Sequence, residues 1–161
     1  ICFVHSYANP EHEQQAVKLV RESCPEVYVS SSSDVFPFMR EYERWTTTVM
    51  NAYVQPITDT YVSQLEQGLR QAARDAVIHI IINRVGSMFT VFFTEESVKD
   101  FDQANASDTG NFQKFFNGML DRGIYLPCSQ FESAFLSAAM TPEDIRKTVF
   151  AAELAFKDLK K

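Results

Sequence analysis

Four groups of side chains in this 161-residue chain combine types and spacings that can do chemistry. The first is His5 with His12 and Glu13. Two imidazoles and a carboxylate can coordinate zinc. The HExxH spacing of a helical zinc site is missing, and a glutamate in a first helical turn equally suits the positive end of the helix dipole. The reading is therefore that no metal centre is present, with His5, His12 and Glu13 as its only candidates. The second group is the cysteines, Cys2, Cys24 and Cys128. They are odd in number, form no CxxC pair, and read as reduced thiols in a cytoplasmic setting, with Cys2 and Cys24 on apolar faces as small buried hydrophobes. The third is the run Ser30 to Ser33, which has no glycine to wrap a phosphate and reads as a polar loop. The fourth is Arg40, Glu41, Glu43 and Arg44, which read as surface ion pairs on a helix turn. His79, in an apolar strand, reads as structural.

The elements that must position these residues follow from periodicity. Residues 1–5 are a short apolar run, read as a buried strand. Asn9-Pro10 opens a helix that runs to about Ser23, where Pro25 stops it. A second strand covers Val27 to Ser30. Strand, helix and strand in about 30 residues predict a βαβ unit with parallel strands. Phe38 to Gln55 is read as helical, although Thr46, Thr47 and Thr48 leave its middle uncertain. Pro56 to Ala76 is a separate amphipathic helix with Pro56 at its start and Ile57, Tyr61, Leu65, Leu69, Ala72 and Ala76 as its apolar stripe. Val77 to Arg84 and Met88 to Thr94 predict an antiparallel hairpin about the turn Val85-Gly86-Ser87. Ser107 or Asp108 caps the next helix, which carries Phe112, Phe115, Phe116 and Met119 and closes at Gly123. Short strands are expected at Ile124 to Leu126 and Ser133 to Ser137. Thr141-Pro142-Glu143-Asp144 opens the final helix.

Composition excludes several function classes. The formal net charge is −6 and no Lys/Arg-rich run occurs, so no nucleic-acid partner is expected; the terminal Lys160–Lys161 pair reads as a solvated end. The apolar run Val77 to Ile82 is far too short to span a membrane, so no membrane partner is expected either. No signal-peptide pattern is visible, and the start at Ile1 without a methionine suggests a fragment or a trimmed chain.

Two stretches carry a family resemblance. His5-Ser-Tyr-Ala-Asn-Pro10 with His12-Glu13, the serines about Ser31, Arg40-Glu-Tyr-Glu-Arg44 with Thr46-Thr47, and Asn51-Ala-Tyr53 resemble a segment of the hydantoinase A / 5-oxoprolinase family. That family splits cyclic amides, and its glycine-rich nucleotide loops are missing from the residues here. From about Tyr61 the chain is similar to the C-terminal domain of glutamate-1-semialdehyde 2,1-aminomutases. The residues concerned are Asn83-Arg-Val-Gly-Ser-Met-Phe89, Phe92-Phe-Thr94, Ser107-Asp108, Phe115-Phe116, Gly123-Ile-Tyr-Leu126, Ser129-Gln-Phe-Glu132 and Ser137-Ala-Ala139. The chain departs from that family at Met140, where histidine is usual, and at Cys128, where proline or alanine is usual.

These resemblances set the expectations. The fold class is α/β, with α+β open: a mixed sheet with an N-terminal βαβ unit and flanking helices. Residues 1–60 and 61–161 are two segments joined inside the helix that follows Pro56 and built into one integrated domain, 1–161. The aminomutase resemblance implies a substrate pocket containing Ser129, Gln130 and Glu132, the last facing an amino group. It also implies pyridoxal phosphate (PLP) as the parent cofactor. The Schiff-base lysine and phosphate site of that cofactor belong to a part of the parent that the resemblance does not cover, so no bound cofactor and no catalytic residue are expected. The leading expectation is a composite, recombined or engineered domain without a complete active site. A remnant PLP-dependent aminomutase and an oligomerisation module stay open, the latter through faces exposed by truncation such as Phe112, Phe115, Phe116 and Met119.

Overall fold

A computed structural model describes residues 1–160; Lys161, the second of the terminal lysine pair, lies outside them. The order of elements is α1 (Glu11–Ser23), α2 (Ser32–Val35), α3 (Glu41–Asp75), β1 (Ile81–Val85), β2 (Met88–Phe92), α4 (Phe101–Ala106), α5 (Thr109–Leu120), β3 (Ala134–Phe135) and α6 (Pro142–Asp158). This is a mixed α/β protein whose sheet is three-stranded and antiparallel, in the order β1-β2-β3. The chain divides into two compact units, Ile1–Ile57 and Thr58–Lys161.

The first unit corrects the expected βαβ arrangement. Neither residues 1–5 nor 27–30 form a strand. What remains is one pair of hydrogen bonds with parallel spacing: the Ile1 amino group donates to the Ser30 carbonyl at 2.7 Å, and the Ser32 amide donates to the Ile1 carbonyl at 3.0 Å. The ladder goes no further because a side chain takes its donors. The Phe3 and Ser33 amides both donate to the Glu13 carboxylate, at 2.6 and 2.8 Å. Helix α1 opens as its sequence dictates, with the Asn9 Oδ1 accepting from the Glu11 amide at 3.1 Å. Cys24 and Cys128 are exposed and Cys2 is half-buried, so the cysteines are not core residues.

Helix α3 overturns the expected break at Pro56. It runs through 35 residues with Pro56 inside, although an interior proline has no N–H to give and costs a helix roughly 3 kcal/mol. Anchoring on both sides of the proline offsets that cost. Before it, Arg44, Thr48, Asn51 and Gln55 face the first unit's polar interior. After it, Leu65, Leu69, Ala72, Ala73 and Ala76 are buried in the second unit's core. The three threonines are accommodated by back-bonding. Each hydroxyl donates to the carbonyl four residues earlier, at 2.7–2.8 Å.

The second unit is organised by aromatic packing. Phe115 and Phe156 stack with ring centroids 4.5 Å apart, and Phe93 meets both at 5.7 and 6.1 Å. Phe115 and Met119 are fully buried and Phe112 nearly so. The face expected to be exposed by truncation is therefore core, shared by α5 and α6. Asp108 and Thr141 cap α5 and α6 as expected, Thr141 in a reciprocal capping box with Asp144. Gly123 ends α5 at φ +78° with the two backbone bonds of a Schellman motif, Gly123 to Leu120 and Ile124 to Met119. Residues 124–126 form no strand; the chain leaving this cap pairs with nothing in the sheet.

Helix α3 ends in the same motif, but with Val77 at the left-handed position, φ +53°. A β-branched residue there is strained, and the left-handed region costs a non-glycine residue about 1–2 kcal/mol. Val77 is also exposed, so its side chain contributes little in return. Val77→Gly is expected to raise stability by about 1 kcal/mol. Urea denaturation of the two proteins checks this; an unchanged or lowered midpoint would show that the turn carries no strain.

The predicted hairpin forms, over Ile81–Val85 and Met88–Phe92, with Gly86 at φ +57° in its turn. Arg84 ties it to α3. Its guanidinium pairs with Asp59 and donates to the Ser63 hydroxyl at 2.9 Å. Arg70 donates to the Ile82 carbonyl at 3.2 Å and pairs with Glu66 at 2.8 Å. Val77 to Ile80, expected to belong to the strand, instead carry the chain out of the helix cap.

Candidate functional site

The second unit holds a cavity of about 380 Å³. Its walls come from α3 (Leu65), β2 (Phe89), the segment after the α5 cap (Ile124 to Pro127), β3 with its flanks (Glu132 to Leu136), and α6 with the residue before its cap (Met140, Ile145, Thr148). Most of this surface is apolar. Glu132 supplies a carboxylate, and Ser133 and Thr148 supply hydroxyls. A cavity of this size and lining suits a small ligand with an apolar body and one cationic group.

Local turn chemistry places Glu132 at the wall. The Ser129 hydroxyl accepts from the Phe131 amide at 3.2 Å, and the Ser129 carbonyl accepts from the Glu132 amide at 3.1 Å. Thr90 on β2 braces the segment at 3.4 Å from both the Glu132 carbonyl and the Ser133 hydroxyl. Of the three residues expected to share a substrate pocket, Glu132 lines the cavity. Ser129 serves the turn. Gln130 is buried elsewhere, with its amide nitrogen donating to the Ala104 carbonyl at 3.2 Å. Met140, where the aminomutase pattern has histidine, lines the cavity and makes that wall apolar.

The first unit holds a second concentration of functional groups, which sequence reasoning divided among three separate readings. Glu13 and Arg44 are both fully buried. The Glu13 carboxylate accepts from the Phe3 amide, the Ser6 hydroxyl at 2.9 Å, the Ser32 hydroxyl at 2.6 Å and the Ser33 amide. Arg44 donates to the Ser6 hydroxyl, to the Ser32 hydroxyl at 2.8 Å, and to the Phe3 carbonyl at 2.8 Å, and it pairs with Glu41. Ser6 and Ser32 thus stand between two buried charges, accepting from one and donating to the other. Burial by itself would push the Glu13 carboxyl up. The hydrogen bonds from Ser32, Phe3, Ser33 and Ser6 outweigh it and hold the group at about 2. Glu41 is lowered as well, first by the bond from Arg44 and then by the His5 amide.

This arrangement corrects two expectations. The serine run is not a solvated loop, since Ser30, Ser31 and Ser32 are buried. Arg44 is not a surface ion-pair partner. The arrangement also separates the metal candidates. His5 and His12 are exposed while Glu13 is committed to four donors, and among the described residues no three metal-ligating side chains come together. One signal was legible in the sequence: Glu13 precedes Val17 and Val20 by one and two helical turns, the spacing of an inward position, whereas Arg44 lies opposite the apolar residues of its helix and so reads as outward. Nothing local marks them as partners of each other or of Ser32.

Comparison with known proteins bears on the cavity. No protein-family model matches the chain. The chain is 54% identical over 98 residues to the glutamate-1-semialdehyde 2,1-aminomutase of Heliobacterium modesticaldum, which covers 61% of this chain and 22% of the relative. Among solved structures, an omega-transaminase from Sphaerobacter thermophilus matches 73% of this chain and 26% of its own, with a TM-score of 0.57 and 18% identity. A transaminase with PLP bound matches 66% of this chain and 24% of its own, with a TM-score of 0.52 and 19% identity. The chain thus spans less than a quarter of the length of the curated relative it matches. The cavity does not fit PLP. Among the described residues no lysine lines it to form a Schiff base, and no arginine or lysine lines it to take a phosphate. Over about three-fifths of its length this chain is similar to glutamate-1-semialdehyde 2,1-aminomutases, and it shares its fold with part of the transaminases.

Proposed function

We propose that this chain is a remnant of an aminomutase-type enzyme, joined through α3 to a hydantoinase-like N-terminal segment. It holds a small amine without turning it over. The carrying observation is Glu132 on the wall of an otherwise apolar cavity. A carboxylate there can pair with an ammonium group while Leu65, Phe89, Leu136 and Met140 take an aliphatic body. The aminomutases that the chain matches act, by their name, on glutamate 1-semialdehyde, an amino acid short enough for such a space. Catalysis in that reading requires groups the cavity does not supply. Mixing the protein with PLP is expected to give no imine band near roughly 400–430 nm, and such a band together with amine turnover would overturn the reading.

The binding half is tested separately. In a two-dimensional NMR titration, pentylamine is expected to shift the amides of Glu132 to Leu136 at millimolar concentrations, and pentanoate to leave them unmoved. Glu132→Gln is expected to weaken pentylamine about threefold, the effect of removing one exposed charge pair at about 0.7 kcal/mol. Equal binding to the parent and to Glu132→Gln would remove the carboxylate from the site.

A further inference from the structure

The first half of α3 has its amphipathicity reversed. The side turned inward is polar: Arg44, Asn51 and Gln55 bond Ser6, Ser30 and Ser32, and Thr48 is buried on the same side. The side turned outward is apolar. Tyr42 and Tyr53 are 80% exposed, Val49 and Met50 65%, and Trp45 and Ile57 around 40%. At 3.6 residues per turn these six side chains fall within about 140° of the helix circumference. A face of that kind is the pattern of a helix whose outer side is covered in the working assembly.

We propose that this stripe is a homodimer interface, in which two copies of the chain pack α3 against α3 in antiparallel fashion about Val49. Three observations favour a second copy as the occupant. The first is symmetry. Trp45 and Tyr53 lie four residues on either side of Val49, so antiparallel pairing places each Trp45 opposite the Tyr53 of the other copy, the self-complementary match that a two-fold interface requires. The second is charge. Residues 45–58 contain no Asp, Glu, Lys or Arg, so two copies meet without like-charge repulsion, and interface centres are depleted in charge. The third is area. At 38–80% exposure, six large side chains of on the order of 150–250 Å² each offer roughly 550–900 Å², the scale of the roughly 800 Å² that each partner contributes to a standard interface. Trp and Tyr are also the residues that dominate binding energy in such interfaces.

Sedimentation equilibrium on the full chain is the test. The expected result is a reversible dimer at micromolar concentrations, with Tyr53→Arg raising the dissociation constant at least about tenfold while far-ultraviolet circular dichroism stays unchanged. Val49→Cys supplies a second reading that survives if Tyr53→Arg fails to fold. A residue on the two-fold axis meets its own copy, so in a background with Cys2, Cys24 and Cys128 changed to serine, mild oxidation should give a disulfide-linked dimer that Val4→Cys, exposed elsewhere on the first unit, does not give. A strict monomer at high concentration would overturn the proposal and leave the stripe to a different protein. A dimer unaffected by Tyr53→Arg, or equal crosslinking at residues 49 and 4, would overturn it as well.

Discussion

Arg44→Ala is expected to destabilise the first unit by about 3–5 kcal/mol, the cost of removing one partner from a buried charge network. Glu13 would then sit buried with its counter-charge gone, and the Ser6 and Ser32 hydroxyls would lose the donor they accept from. Glu13→Gln should cost less but act in the same direction, because its amide nitrogen must face one of four donors. Trp45, the one tryptophan in the chain, lies one residue from Arg44 and reports on this unit. Urea unfolding followed by its fluorescence measures both variants; a midpoint unchanged by Arg44→Ala would show that the network is not structural. Acid should act on the same network. The Glu13 carboxyl is held at about 2, below its ordinary 4.5, so the unfolded chain binds the proton more readily than the folded one. The stability it contributes is fully present above about 4.5 and is lost as pH falls from there toward 2. Glu41, lowered too, acts in the same direction. The Trp45 midpoint should fall below pH 4.5 in the parent and fall less steeply in Glu13→Gln.

Gly68→Ala is expected to destabilise the second unit by about 1–3 kcal/mol, the usual cost of overpacking a tight contact. A Cβ at Gly68 would lie 2.3 Å from one Val149 methyl carbon and 2.8 Å from the other. Val149 is β-branched and held on α6, so it cannot swing clear as a long side chain would. In an exposed helix the same change would add about 1 kcal/mol of stability through helix propensity, so the sign of the result separates the two effects. Val149→Ala in the Gly68→Ala background should restore part of the loss. Thermal unfolding of the two single variants and the double variant forms the cycle, and simple additivity of the two single changes would mean that α3 and α6 do not meet at Gly68.

Local chemistry made much of this fold legible. Asp108, Thr141-Pro142 and Gly123 announce helix ends because a cap is satisfied by residues three or four positions away. The hairpin about Gly86 is legible for the same reason. The failures lie where a distant group competes for the backbone. The N-terminal strands fail because residues 4–8 turn, with His5 at φ +59°, and because Glu13 takes the Phe3 and Ser33 amides. Pro56 read as the first residue of a separate helix, and that reading fails because burial on both sides carries α3 through it. Val77 read as a strand residue by β-branching and instead occupies a helix cap.

The site divides along the same line. Glu132 was named through the resemblance to the aminomutases, and it reaches the cavity wall because a turn that Ser129 closes locally places it there. Gln130 could not be separated from it, since only packing against Ala104 turns the amide away from the cavity. The sequence by itself determined the class of the fold, the ends of its helices and the likeness to the aminomutases, all of which rest on neighbours in the chain. Tertiary structure alone decided that Glu13, Ser32 and Arg44, spread over 32 positions, form one buried network, and that α3 turns its polar side inward. The physical reason is that burial of a charge is decided by the donors that converge on it in space, and those donors leave no periodic trace along the chain.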